Sequence, residues 1–160
     1  MTHSKQKIIW YLFIAIVIIV GIWWYVGRDE RAIKRVIRKV AEYASNNGGN
    51  ISNALALQNL AEGFTKDAQI KWRWPEWPKI KTGEGLLEGR ERIRESVIIA
   101  KRSDELKFEI ENLEISAKSG GGKASGKVLV HFSSGDLATF ETVFDLVKNN
   151  RWQIKSVLAL

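Results

Sequence analysis

Residues able to do acid–base chemistry are few in this chain, and they are scattered. Beyond the N-terminal tail the single histidine is His131, in KVLVHFSS. Val128, Val130 and Phe132 share one parity there and read as core, so His131 and Leu129 take the opposite face of a strand. A histidine on an outer sheet face more often packs or meets a partner than acts as a base. Glu141 and Asp145 alternate with Phe140, Thr142 and Phe144, so they also point outward, as solvated or cross-strand-paired carboxylates. Asp67 falls in the turn before a strand, where capping is the common role. No residue is assigned as catalytic. With one usable histidine, no cysteine and no carboxylate pair at ligand spacing, neither a metal site nor a cofactor is expected. The glycine runs GEG and SGGGK lack the strand-to-helix setting of a phosphate-binding loop and read as turns.

The aromatic residues say more. The chain has 7 Trp in 160 residues, three of them close together in KWRWPEWP. Trp72 and Trp74 alternate with polar residues and share one strand face. They either line a wide apolar pocket for an aromatic or lipid-like ligand, or fill the space between sheet and helices. Trp77, between two prolines, is harder to bury and suits a pocket mouth, a membrane surface or a protein contact.

The elements that must position these residues follow from periodicity. Residues 29–45 are helical, with Ile33, Val36, Ile37, Val40, Ala41 and Ala44 on one stripe and Asp29 and Glu30 in the first turn. NNGGN at 46–50 breaks that helix. Ile51–Phe64 reads as a second helix with Phe64 on its apolar side. At Ala68 the period becomes two, and Ala68, Ile70, Trp72 and Trp74 face one way. Glu76–Gly89 reads as a loop and Arg90–Arg102 as a third helix. Strands follow. The alternation of Leu106, Phe108 and Ile110 slips before Leu113 and Ile115, as at a bulge. Lys127–Ser133, Leu137–Val147 and Arg151–Leu160 complete the set, separated by turns at Gly135–Asp136 and Asn149–Asn150.

Charge and hydropathy describe the N-terminus. The formal charge is +7, yet residues 40–160 carry 17 basic against 16 acidic side chains. The excess brackets one segment, with Lys5 and Lys7 before it and Arg28, Arg31, Lys34, Arg35, Arg38 and Lys39 after it. A nucleic-acid binder carries its charge on the folded surface, so no nucleic-acid partner is expected. The bracketed segment, Ile8–Val26, is 19 residues without a charge. At about 1.5 Å per residue it spans roughly 28 Å, near the thickness of a bilayer core. Trp10, Tyr11, Trp23, Trp24 and Tyr25 stand at its ends, where amphipathic rings prefer the headgroups. A cleaved signal peptide would have a shorter run and a small-residue cleavage site. The expectation is a short basic tail (1–7), a single transmembrane helix (8–26) and a folded domain (29–160). The basic residues past the span would favour a cytoplasmic domain. The short basic tail ahead of a lone span favours the tail inside and the domain on the extracytoplasmic side, which is the orientation adopted. Should the domain lie on the anionic leaflet, Arg28, Arg31, Lys34, Arg35 and Arg38 would meet its headgroups, each for about 1 kcal/mol near a charged surface; otherwise they are a solvated helix face.

The order helix, helix, strand, helix and antiparallel meander is an α+β layout. FTKDAQIKW after a helix, a loop ending in GLLEGRERIRESV, and the terminal NNRWQIKSVLAL resemble the nuclear transport factor 2-like superfamily over residues 29–160. That group includes SnoaL-type polyketide cyclases and ketosteroid isomerases. The resemblance implies a cystatin-like α+β roll, three helices packed in a curved antiparallel sheet that forms a cone with a pocket and often dimerises through the sheet. It leaves activity open, because the fold carries enzymes, binding modules and adaptors. Apolar Leu129, Val143 and Val147 on the outer face also suit a homodimer. The reading is a single-pass, membrane-anchored, non-catalytic binding or assembly module. Its pocket for a small apolar ligand would be lined by Phe64, Trp72, Trp74, Phe108 and Phe140. Two alternatives stand beside it: a small SnoaL-like cyclase, isomerase or hydratase, and a structural subunit of a larger membrane complex.

Overall fold

A computed structural model describes the backbone of residues 2–45, 50–73, 84–103 and 105–160. Within these it describes all side chains except those of residues 2–12, 23, 25, 26, 50–53 and 103. Helix α1 (Thr2–Ser45) is one unbroken helix of 44 residues, so the apolar run and the amphipathic stretch after it share an axis. From residue 13 to 24 its described apolar side chains are exposed, Ile19 at 64% and Trp24 at 67% among them. Beyond Asp29 the periodicity takes hold. Ile33 and Ile37 are fully buried, while Arg31, Lys34, Arg35 and Arg38 stay in solvent. Among the described residues no helix is long and apolar enough to cross a membrane. Within Ile8–Val26 the side chains of residues 8–12, 23, 25 and 26, including Trp10, Tyr11, Trp23 and Tyr25, lie outside those described.

Helix α2 (Asn50–Glu62) runs back along α1 and ends where Gly63 N–H donates to the carbonyls of Asn59 and Leu60, at 3.2 and 3.0 Å. Strand β1 (Phe64–Arg73) starts at once, four residues before the alternation begins in the sequence. The reason is tertiary: Ile154 N–H donates to Gly63 O at 2.8 Å, and Phe64 pairs with Ile154 before a register irregularity at Gln69. Phe64 is therefore the first residue of a strand and not the last of a helix. Strand β2 (Glu84–Glu88) forms within the stretch read as a loop, antiparallel to β1. Its inner positions are Gly85 and Leu87, so only one apolar side chain marks the alternation.

Helix α3 (Arg90–Ser103) follows, then β3 (Lys107–Lys118), β4 (Gly121–His131), β5 (Leu137–Lys148) and β6 (Trp152–Ala159). The six strands order β2-β1-β6-β5-β4-β3. All neighbours are antiparallel except β1 and β6, which run parallel. The sheet is thus mixed, not antiparallel throughout. The chain's first and last strands meet side by side, and the topology fixes their direction. The slip before Leu113 is a bulge between Glu111 and Glu114, with Asn112 at φ 51°. Gly126 permits it, since a Cβ there would lie 2.9 Å from Glu111 O.

The helices lie on the inner face of this sheet. Ile33, Ile37, Leu60, Ile93 and Ile154 are the largest fully buried side chains. On β5 every even position from Ala138 to Leu146 is buried, which fixes the inner face along the sheet's centre.

Candidate ligand pocket

Between α1, α3 and the inner face of the sheet lies a cavity of about 350 Å³. Phe64, Trp72, Phe108 and Phe140 all line it, brought together from β1, β3 and β5. Trp74 and Trp77 lie outside the described residues. Alternation also turns Val128 and Val130 of β4, and Phe132 just past its end, into the wall, and the buried stripe of α1 contributes Ile37, Val40, Ala41 and Ala44. Leu87 and Val97, on elements whose apolar pattern is sparse, complete the side next to α3.

Polar groups are scarce in this wall. Among the described lining residues, polar side-chain groups are the hydroxyls of Ser96 and Thr142 and the indole N–H of Trp72. Thr142 Oγ1 donates to Phe140 O at 3.2 Å, within its own strand. The titratable residues weighed from the sequence all lie elsewhere. His131 is on the outer sheet face, Nε2 3.3 Å from Glu109 Oε2. Glu141 pairs with Lys127 at 3.3 Å; Asp145 pairs with Lys123 at 3.7 Å and accepts from Ser156 Oγ at 2.9 Å. Asp67 is exposed. Glu109 also pairs with Lys107, whose ammonium holds its carboxyl below the usual range. Among the described residues, no three His, Cys, Asp or Glu gather as a metal site would need. In this arrangement the cavity can hold an apolar molecule, and among the described residues no acid or base lines it.

Its ends differ. At one end Ser45 closes α1 against edge strand β3, accepting from Phe108 N–H at 2.7 Å, and Lys101 Nζ donates to Tyr43 O at 2.8 Å. Partial burial lowers the pKa of Lys101. Trp72 stands at this end too. Its indole lies over Gly85, its partner on β2, where a Cβ would come within 1.9 Å of the ring. Only glycine leaves room for that ring position.

At the other end the space is solid. Ile33, Ala124, Leu146, Trp152 and Ile154 are buried there, and none of them lines the cavity. Beneath them Asp29 Oδ1 accepts from Lys148 Nζ at 2.7 Å and Trp152 Nε1 at 3.2 Å. Lys148 Nζ also sits 5.6 Å from the centroid of the Trp152 ring, a cation–π contact. The bond from Lys148, more than any other cause, holds the Asp29 carboxyl below its ordinary pKa. A depressed folded-state pKa contributes stability above the unfolded value, near 3.9, that is lost as pH falls through the folded one. Asp29→Asn is therefore expected to unfold at lower urea concentration than the parent at neutral pH. The difference should shrink as pH falls below the unfolded value and vanish once the folded-state carboxyl is protonated too, with midpoints read along that descent.

The basic residues of α1 form an exposed face. Arg31, Lys34, Arg35 and Arg38 recur at helical spacing opposite Ile33 and Ile37, with Arg28 one turn before. Arg31 Nη2 donates back to Trp24 O at 3.1 Å.

No family model matches this sequence, and no curated protein does. Solved structures match its shape. A nuclear transport factor 2-like protein with a cystatin-like fold from Novosphingobium aromaticivorans superposes with a TM-score of 0.66 at 11% identity, over 88% of this chain and 86% of that one. A cystatin-like protein of unknown function from Nostoc punctiforme gives 0.61 at 12% identity, over 82% and 89%. Another nuclear transport factor 2-like protein of unknown function, from Pseudomonas putida, gives 0.62 at 9% identity, over 82% and 84%. At such identities the likeness is one of fold. The chain has the cystatin-like, nuclear transport factor 2-like α+β fold, a curved mixed sheet with helices on its concave side.

Proposed function

We propose that this chain is a membrane-anchored, non-catalytic module that holds a small apolar ligand in its cavity and pairs with a second copy through the outer sheet face. The observation that carries the reading is the cavity wall, where aromatic and aliphatic side chains converge and, among the described residues, two hydroxyls and one indole N–H interrupt them. A wall of that kind rewards burial of apolar surface and gives a reacting polar centre nothing to work with.

The anchor rests on the uncharged run 8–26 and on the exposure of its described side chains, which the domain leaves uncovered. The basic face after it then lies on the membrane side of the domain, with Arg28 and Arg31 nearest the headgroups. Support for pairing comes from Val143 and Leu158. They are neighbours on the outer face, exposed at 38% and 36%, and exposed Leu137 and half-buried Leu129 lie further along that face, beyond the Lys127–Glu141 pair.

Native mass spectrometry of the full-length protein in a mild detergent tests both halves. The expected spectrum is a dimer retaining an apolar adduct. Ala159→Trp, which fills the cavity, should remove the adduct and keep the dimer. Val143→Lys should give monomers that keep it. A species that takes up no apolar molecule, including added decanol, overturns the binding reading.

A further inference from the structure

The cavity is confined to one half of the cone, and that half is the one remote from the apolar run of α1. On α1 the lining begins at Ile37 and reaches Ala44; Ile33, one turn earlier, belongs to the packed floor. Because α1 is continuous, distances along it can be counted from Val26. At about 1.5 Å per residue, Ile37 stands roughly 16 Å and Ala44 roughly 27 Å beyond the end of the run. The floor fills the interval. Ile33 and Ile154 have no exposed surface, and a Cβ on Gly122 would lie 2.5 Å from Ile33 Cδ1 and 3.4 Å from Trp152, so no passage is left between them. The Asp29 carboxylate with Lys148 and Trp152 closes the floor from below.

The remote end is built differently. Its lining residues are Trp72, Ala100, Leu106, Phe132 and Ala159, at the ends of β1, α3, β4 and β6 and just ahead of β3. Each keeps part of its surface exposed. Trp72 is held aside over Gly85.

We infer that the cavity is loaded from its membrane-remote end, tail-first or whole, with a small uncharged, hydrocarbon-rich molecule delivered from the aqueous side or by another protein. An acyl chain still tethered to the bilayer is excluded. This rests on the anchored, ligand-holding reading above and adds the ligand's class and its route. The class follows from the wall. An ionised group drawn inside would lose its water and meet no counter-charge from the described lining, in which no side chain is titratable. One or two hydroxyl- or carbonyl-type groups can be matched by Ser96 and Thr142. A volume near 350 Å³ is at the small end for ligand pockets, which run from roughly 300 to 1,000 Å³.

Two photoreactive probes separate the routes, with the full chain in lipid nanodiscs. One is decanol carrying a diazirine, added from water. The other is a phosphatidylcholine with the same diazirine on an acyl chain, built into the disc. After irradiation, labelled residues are mapped by peptide mass spectrometry. Decanol is expected to label the β4 and β5 wall, at least ten-fold less in Ala159→Trp and in the presence of excess unlabelled decanol. The phospholipid chain is expected to label α1 between residues 8 and 26 and no cavity residue. Should Ala159→Trp not fold, Leu106→Trp blocks the same end. Cavity labelling by the phospholipid overturns the route and leaves a ligand pocket standing. Absence of cavity labelling by either probe overturns the pocket itself, and excess decylammonium displacing the label from within the wall overturns the uncharged class.

Discussion

Thr142→Asp is expected to destabilise the protein by about 3 kcal/mol at neutral pH, and acid is expected to restore most of that loss. Thr142 is 2% exposed and sits in the cavity wall between Phe140 and Phe144. A carboxylate there would enter a described lining that is apolar apart from Ser96 and the Trp72 indole N–H, and Phe140 O, which accepts from the native hydroxyl, could not donate to it. Burial disfavours its charged form and raises its folded-state pKa above the unfolded value of about 3.9. A raised pKa means that the native state holds a proton that the unfolded state has released. Stability is then intact below about pH 4 and falls by about 1.4 kcal/mol per pH unit until the folded value is reached. Urea midpoints of the full chain in mild detergent, followed across that range, measure the slope. A flat profile would mean that water reaches the wall freely, and the apolar-ligand reading would lose its basis.

Ile154→Ala should cost about 3 kcal/mol, while Val128→Ala should cost about 1 kcal/mol. Ile154 has no exposed surface; it belongs to the floor, and its N–H anchors the start of the parallel β1–β6 pairing through Gly63 O. Removing its methyls leaves a void that the surrounding Phe64, Trp152 and Leu146 cannot collapse to fill. Val128 already borders open space, so truncation forfeits fewer contacts and widens a cavity that exists. The same urea titrations read both variants. Equal losses would show that floor and wall are packed alike, contrary to the division on which the loading route depends.

How far these features can be read in the sequence depends on the kind of signal each leaves. The parity of Val128, Val130 and Phe132, and of Phe140, Thr142 and Phe144, states which side chains share a face, and the structure puts both sets inside. The jog before Leu113 is legible for the same reason, because a bulge shifts the alternation by one residue. Strand β2 is not legible. Gly85 occupies an inner position where an apolar side chain would announce a strand, and the indole of Trp72 supplies that surface instead. Nor does alternation carry direction, so the parallel pairing of β1 with β6 cannot be seen in either strand alone. Phe64 reads as helical because Leu57, Leu60, Ala61 and Phe64 keep helical spacing. The bond that turns the chain into a strand there, from Ile154 N–H to Gly63 O, comes from β6, far along the chain. Whether the aromatic residues surround a space or fill it depends on the separation of α1 and the sheet, which no local pattern records.

The unbroken helix α1 also sets a phase. The same helix carries the apolar run at one end and, from Ile33 to Ala44, part of the domain's interior at the other. Asp29 fastens it to β5 and β6 where the two parts join. The domain consequently has no swivel on its stalk. Each residue of a helix advances about 100° around the axis, so the compass bearing of the outer sheet face is fixed by the number of residues between it and whatever grips the run. One residue added at Gly27 would turn that face through more than a quarter-circle. Under the proposed pairing, two copies held by the same grip would then present flanks to each other in place of sheets, with every contact inside each domain unchanged.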